Sequence, residues 1–144
     1  MLTVHMIVND ADKASTWYAE VLGFQEHSRI ELPDGRLINV VLRTPTAALT
    51  LADEFPEHGA LAPRPPDSTA VVLYLEVDRV DEVWERAVAA GAQVRRQLAD
   101  TFWGAREGQL IDPFGHVWGV SQRIRDVSHA ELSRLAAEAF GSAT

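Results

Sequence analysis

Apolar residues along the chain switch twice between two spacings, and the switches come in the same order in each half. Residues 2–8, "LTVHMIV", are short and β-branched and predict a strand. "ADKASTWYAEVLGF" then takes up helical spacing, with Ala14, Trp17, Val21 and Leu22 on one face and Gly23 placed to end the helix. "FQEHSRIEL", "RLINVVLRT" and "AALTLAD" follow as three strands, the first two joined by the turn "PDG" at 33–35. The first half therefore reads βαβββ.

"DEFPEHGALAPRPPDST", residues 53–69, holds four of the seven prolines and reads as a linker. Beyond it the order repeats. "AVVLYLEV" is a strand, and "DRVDEVWERAVAAGA" a helix with Val80, Val83, Trp84, Ala87 and Val88 on one face and Gly91 at its end. "QVRRQL", "AREGQLID" and "HVWGVSQ" complete a second βαβββ. From Val8 to Gly23 is fifteen positions and from Val77 to Gly91 fourteen, so the halves match in spacing as well as order, as a duplication would leave them. In "DVSHAELSRLAAEAF", Ser128 and Glu131 stand at capping-box spacing, Val127 and Leu132 form a staple, and Leu132, Leu135, Ala136 and Ala139 make an apolar stripe that should pack on something. The expected organisation is one domain made of a first module over 1–52, a linker over 53–69, a second module over 70–122 and a C-terminal helical extension over 123–144.

Composition narrows the chemistry. A chain of 144 residues that is 47% hydrophobic can bury a real core. The net charge of −8 argues against nucleic acid or an anionic membrane as partner, since both are bound by clustered Lys and Arg. No cysteine is present, so disulfides, thiolate metal sites and Cys nucleophiles are excluded. The N-terminal residues lack the basic and long apolar regions of a secretory signal, which gives a cytoplasmic location as the expectation. P-loop, G-x-G-x-x-G, H-E-x-x-H and G-x-S-x-G motifs are all missing, which disfavours nucleotide-binding and hydrolase chemistry.

Two βαβββ halves, "WYAEVLGF" closing the first helix and "DPFGHVW" between the last two strands together resemble the vicinal oxygen chelate superfamily, which includes glyoxalase I, extradiol dioxygenases, fosfomycin-resistance enzymes and bleomycin-binding proteins. The likeness covers residues 2–122, and "FWGAREGQLIDPFGHVW" with the C-terminal helix is most similar to its PhnB-like branch. The resemblance implies an α+β fold in which two βαβββ modules form a curved mixed sheet around a cavity, followed by a C-terminal helix. It also implies a homodimer. Enzymes of that superfamily take four metal ligands, two per half, from the concave face; matched to their pattern, those positions here are Thr3, Thr50, Val72 and Gly119. None is a His or carboxylate, so no metal and no cofactor is expected.

Strand alternation assigns the faces. Val4, Met6 and Val8 should pack on the first helix and turn Thr3, His5 and Ile7 inward; Ala48, Thr50 and Ala52 should face in from the fourth strand. In the second half Val71, Leu73, Leu75 and Val77 should pack on the helix, leaving Val72, Tyr74 and Glu76 inward with Val117, Gly119 and Ser121. His116 falls with Trp118 on the helix side, as a structural residue of a tight turn formed by Asp112, Pro113 and Gly115. His5 is either a pocket histidine that orients a ligand or a proton shuttle, with Tyr74, Glu76 and Thr50 sharing its cavity. Trp103 and Arg106 suit a stacked ring and an oxygen held by guanidinium, or equally a cap at the mouth and a surface ion pair. Asp53, Glu54, Glu57 and His58 read as a solvated acidic loop or lid rather than a metal cluster.

Three functions follow, in order of preference. The first is a metal-independent binding protein whose pocket takes an aromatic or hydrophobic small molecule through Thr3, Thr50, Val72, Glu76, Trp103, Arg106 and Gly119. The second is an isomerase, lyase or cyclase in which His5 moves a proton and Tyr74 or Arg106 steadies an oxyanion. The last is a metal-dependent glyoxalase or dioxygenase.

Overall fold

The computed structural model describes residues 1–64 and 70–141. Five of the linker residues, 65–69, and the last three of the C-terminal extension lie outside the described residues. The first half runs β1 (Val4–Val8), α1 (Ala11–Leu22), β2 (Gln25–Glu31), β3 (Leu37–Arg43) and β4 (Ala48–Asp53), and the second β5 (Leu73–Glu76), α2 (Val80–Ala89), β6 (Gln93–Asp100), β7 (Ala105–Ile111) and β8 (Val117–Arg123), followed by α3 (His129–Phe140). Each half forms a four-stranded sheet of the same design, β1-β4-β3-β2 and β5-β8-β7-β6. In both, the first strand pairs parallel with the fourth and the remaining pairs are antiparallel.

The helices begin where the sequence supplies acceptors for their free N–H groups. Asp10 caps α1 by accepting from the Lys13 amide at 3.0 Å, and Asp53 at the end of β4 accepts the Ala11 amide at 2.7 Å. Its second oxygen takes the Leu37 amide at 2.7 Å, tying three elements together. The counterpart in the second half is Gln122 near the end of β8, whose carbonyl oxygen takes the Val80 amide at 3.1 Å. Gly23 ends α1 at φ 81°, a conformation only glycine adopts without strain.

Alternation is borne out at the core of both sheets. Met6, Val8, Leu49, Leu51, Leu75, Trp118 and Val120 are buried against the helices. Two helical faces require correction. The aromatic buried by α1 is Tyr18, not Trp17: the buried stripe is Ala11, Ala14, Ser15, Tyr18, Val21 and Leu22, rotated one position from the expected one. Trp17 sits half-buried at the rim and donates its indole N–H to the Ala90 carbonyl at 2.9 Å. On α2, Val80, Val83, Trp84 and Ala87 are buried but Val88 is exposed. β5 is also shorter than "AVVLYLEV", and Val71 is exposed rather than packed on the helix.

The halves meet through polar contacts as well as apolar ones. Arg86 on α2 donates to the Val21 carbonyl at 3.0 and 3.2 Å, while Trp17 on α1 serves the Ala90 carbonyl, so each helix end is satisfied by the other helix. Asp112, buried at the start of the "DPFG" turn, accepts from the Tyr18 hydroxyl on α1, from Trp118 Nε1 at 2.9 Å, and from the Phe114 and His116 amides at 2.8 and 3.0 Å. His116 then reaches back across the halves, its Nε2–H donating to the Ile7 carbonyl at 2.8 Å. Both are structural groups, as expected of His116.

α3 is capped as the sequence indicates, Ser128 accepting from the Glu131 amide at 3.2 Å. Its apolar stripe is only half covered, and Phe140 at its end touches Phe102 edge-on at 6.4 Å between centroids.

Two consequences are measurable. Asp112→Asn leaves buried donors of Tyr18 and Trp118 without their acceptor and should lower the unfolding free energy by about 3 kcal/mol, with Tyr18→Phe non-additive to it in a double-mutant cycle read by urea denaturation; additive effects would mean the two groups do not cooperate. The second concerns acid. Arg29, then Ser15, hold the Glu26 carboxyl below its ordinary 4.5. Stability from this group is complete above that value and is lost as pH falls through the lowered one, because the unfolded chain binds the proton first. Glu26→Gln should therefore flatten the acid limb of the stability profile below pH 4.5.

Candidate functional site

Among the described residues, His5 and Ile7 of the first half line a depression of about 400 Å³, Tyr74, Glu76 and Ser121 of the second line a groove of about 360 Å³, and Ala48, Val72 and Tyr74 meet in a hollow at the seam between the halves.

In the first depression His5 and Thr50 are paired across β1 and β4, and Nδ1 of the ring lies 2.6 Å from the Thr50 hydroxyl. The floor and walls are Ile7, Ile38 and Phe55, with His58 on the rim side of the loop that follows β4. That loop is built by a bridge between Phe55 and Ala60 around a 3-10 turn at Pro56–His58. Arg36 pins it down, donating to Glu57 at 2.7 Å and to Asp34 at 2.9 Å while lying 4.3 Å over the Phe55 ring. Its covering explains why Ala52, expected to face an open cavity, is buried. The acidic residues of this loop are occupied structurally: Asp53 caps α1, Glu54 accepts from the Ala62 amide and Arg64, and Glu57 holds Arg36.

The groove of the second half brings together three of the expected residues, Tyr74, Glu76 and Trp103, beside Glu107 and Ser121. Register explains the grouping. Tyr74 pairs with Gly119 and Glu76 with Ser121 across β5 and β8, and β7 continues the rows with Gln109 and Glu107. The Tyr74 ring lies flat over Gly119, so close that a Cβ there would overlap it. Its hydroxyl accepts from Arg96 at 3.0 Å and from Gln109 at 2.8 Å. Arg96 also donates to the buried Glu107 carboxylate at 3.2 Å. Trp103 is 37% exposed at the mouth, set edge-to-face against Phe102 at 4.8 Å.

Arg106 is not among these residues. It lies on the opposite face of β7 with Gly108 and Leu110, chelating Asp81 of α2 at 3.0 and 3.2 Å and reaching Asp100 at 3.1 Å. The guanidinium holds the Asp81 carboxyl below the usual carboxylate range. Alternation applied to "AREGQLID" identifies that face, because Leu110 is core. The arginine that bonds to Tyr74 and Glu107, Arg96, is invisible to alternation: β6 shifts register between Val94 and Arg96 and again before Ala99.

Of the four positions matched to metal ligands, Thr50 is held by His5, Thr3 is exposed ahead of β1, Val72 lies half-buried at the seam between the halves, and Gly119 is under Tyr74. Val72 and Gly119 carry no side-chain donor, so these residues do not fit a four-ligand metal centre. Among the described residues no three His, Asp or Glu side chains gather into a metal-binding group. No helix among them is long and apolar enough to cross a membrane.

Gly119→Ala should force the Tyr74 ring off the sheet. Tyr74 is half exposed, so the displaced ring enters solvent rather than the core, and the expected cost is about 1–2 kcal/mol with loss of its bonds to Arg96 and Gln109. Gly108→Ala should cost more, since its Cβ would meet the buried Trp84 ring at 2.6 Å and the Arg96 backbone carbonyl at 2.8 Å, neither of which can move into solvent as Tyr74 can. Thermal unfolding of the two variants ranks them; equal costs would contradict the packing described.

Comparison with known proteins supplies the context for these two faces. Residues 1–120 match the model of the Glyoxalase/Bleomycin resistance protein/Dioxygenase superfamily. An uncharacterized protein of Mycobacterium bovis is 36% identical over 134 residues, which is 91% of this chain and 88% of that protein. Among solved structures, TioX from Micromonospora sp. ML1 superposes with a TM-score of 0.66 at 25% identity, over 85% of this chain and 98% of that one. The fosfomycin resistance protein FosX of Listeria monocytogenes, complexed with Mn(II) and sulfate, shares the fold with a TM-score of 0.67 at 12% identity, over 92% and 96% of the two chains.

Proposed function

The chain belongs to the glyoxalase/bleomycin resistance protein/dioxygenase superfamily, and from that premise we propose that it is a metal-independent protein that binds an aromatic or hydrophobic small molecule in the groove of its second half. The observation that carries this reading is the convergence of Tyr74, Glu76 and Trp103 on one open groove of about 360 Å³. An exposed indole at the mouth gives a flat ring something to stack on, and the tyrosine and carboxylates supply a few fixed polar groups. Metal independence is supported by the donor set, because two of the four positions that the superfamily's ligand pattern implies, Val72 and Gly119, carry no ligating side-chain atom. Within the superfamily we assign the chain to the PhnB-like branch, on the run 102–118 and the helix that follows. A homodimer and a cytoplasmic location belong to the same proposal.

A second reading rests on the other face. His5 is oriented by its 2.6 Å contact with Thr50, as a proton shuttle for an isomerase, lyase or cyclase needs to be. Tyr74 and Arg106 are not beside it within the chain, so an oxyanion in this depression would have to be steadied by other groups.

Elemental analysis of protein purified without chelator should find no stoichiometric metal, and EDTA should leave the melting temperature unchanged. With 2-ethylnaphthalene as probe, Trp103→Ala should raise Kd about tenfold while His5→Ala leaves it unchanged. Stoichiometric iron, zinc, manganese or nickel would overturn the metal-independent reading. Turnover abolished by His5→Ala would favour the second one.

A further inference from the structure

We infer that the groove of the second half is selective for a neutral ligand with a carbonyl-type oxygen, and that the Tyr74 hydroxyl is the donor that reads it. The inference rests on the binding function proposed above and names its ligand class. A phenol oxygen offers one proton and two lone pairs. At Tyr74 both lone pairs are taken, by Arg96 Nη2 at 3.0 Å and by Gln109 Nε2 at 2.8 Å, and guanidinium and amide nitrogens can only donate. The hydroxyl proton is therefore turned away from both, with no acceptor among the described residues. Tyr74 is 50% exposed and lines the groove, which is where a ligand acceptor would meet that proton. A donor already accepting two hydrogen bonds, one from a cation, is polarised and gives a stronger bond to the next acceptor.

The position of the hydroxyl is fixed as firmly as its direction. The ring rests on Gly119, Gln109 follows from the pairing of β7 with β8, and the Arg96 nitrogen that reaches Tyr74, Nη2, also donates to the buried Glu107. Charge then selects among acceptors. Glu76 and Glu107 line the groove, and the nearest cation on its wall, Arg123, is engaged by Asp126 at 2.9 Å. Arg96 is likewise matched by Glu107. A carboxylate ligand would meet Glu76, which has no cation partner among the described residues, and a Glu107 already matched by Arg96, whereas a ketone, amide or quinone oxygen meets only the donor. Trp103 at the mouth gives the rest of the ligand a flat surface.

Fluorescence titration of the full chain with three probes on one ring system tests this. 2-Acetylnaphthalene carries the neutral acceptor, 2-ethylnaphthalene lacks it, and 2-naphthoate carries a charged one. Wild type should bind the ketone about tenfold more tightly than the hydrocarbon and more tightly than the carboxylate. Tyr74→Phe, which keeps the ring over Gly119 and should keep the melting temperature, should bring the ketone down to the hydrocarbon and leave the hydrocarbon unmoved. Arg96→Met should reduce the ketone preference in part, acting through Tyr74. Equal binding of ketone and hydrocarbon by wild type would overturn the Tyr74 donor while leaving the groove intact. Tighter binding of 2-naphthoate than of the ketone would overturn the neutral class. Binding of none of the three would overturn the groove itself, and the function proposed for it.

Discussion

A single buried carboxylate joins the two halves of this molecule. Among the described residues Asp112 has no cation partner; its charge is met by two amides of its own turn, the Trp118 indole at the start of β8 and the Tyr18 hydroxyl of α1. The hydroxyl comes from α1 of the other half, so the turn between β7 and β8 cannot take shape independently of the first helix. Burial, then the neighbouring Asp112, pushes the Tyr18 hydroxyl well above its ordinary 10.0, which favours the protonated form that donates to Asp112. An ion in an apolar interior is costly unless its hydrogen bonds are complete, and here that completeness demands both halves.

The same requirement operates at the helix ends. Arg86 satisfies the end of α1 and Trp17 the end of α2, so two helices at corresponding places in the two halves are each other's caps. With the helices locked together on one side, the sheets are left to present their other faces outward, His5 with Thr50 on one and Tyr74 with Trp103 on the other. The separation of the two faces is thus set by contacts made on the opposite side of each sheet.

Much of this was legible in the residues. Strand order, both helices and the core rows of β1, β4 and β8 follow from spacing alone, because one face of each strand is packed on a helix and alternation is enforced there. What escaped had specific causes. Trp17 and Tyr18 are adjacent, apolar and aromatic, and only a difference of one position in helical phase decides which is buried. Asp112 is a turn-forming residue by type, and nothing local reveals that a tyrosine ninety-four positions earlier donates to it. Arg96 was hidden by two register shifts, whereas Arg106 could have been assigned to the helix side from Leu110. The division into two faces depends on how the halves dock, which no periodicity encodes.

Gly119 beneath Tyr74 ties two positions into one evolutionary unit. Any side chain at 119, ligating or not, competes for the volume the phenol ring occupies. A lineage acquiring a donor atom there would lose the tyrosine's seat, and one enlarging residue 74 in the presence of a bulky residue 119 would have found the seat taken. A side chain at 119 and an aromatic ring lying over it at 74 are therefore not independent choices: the glycine is the condition on which the tyrosine lies against the sheet.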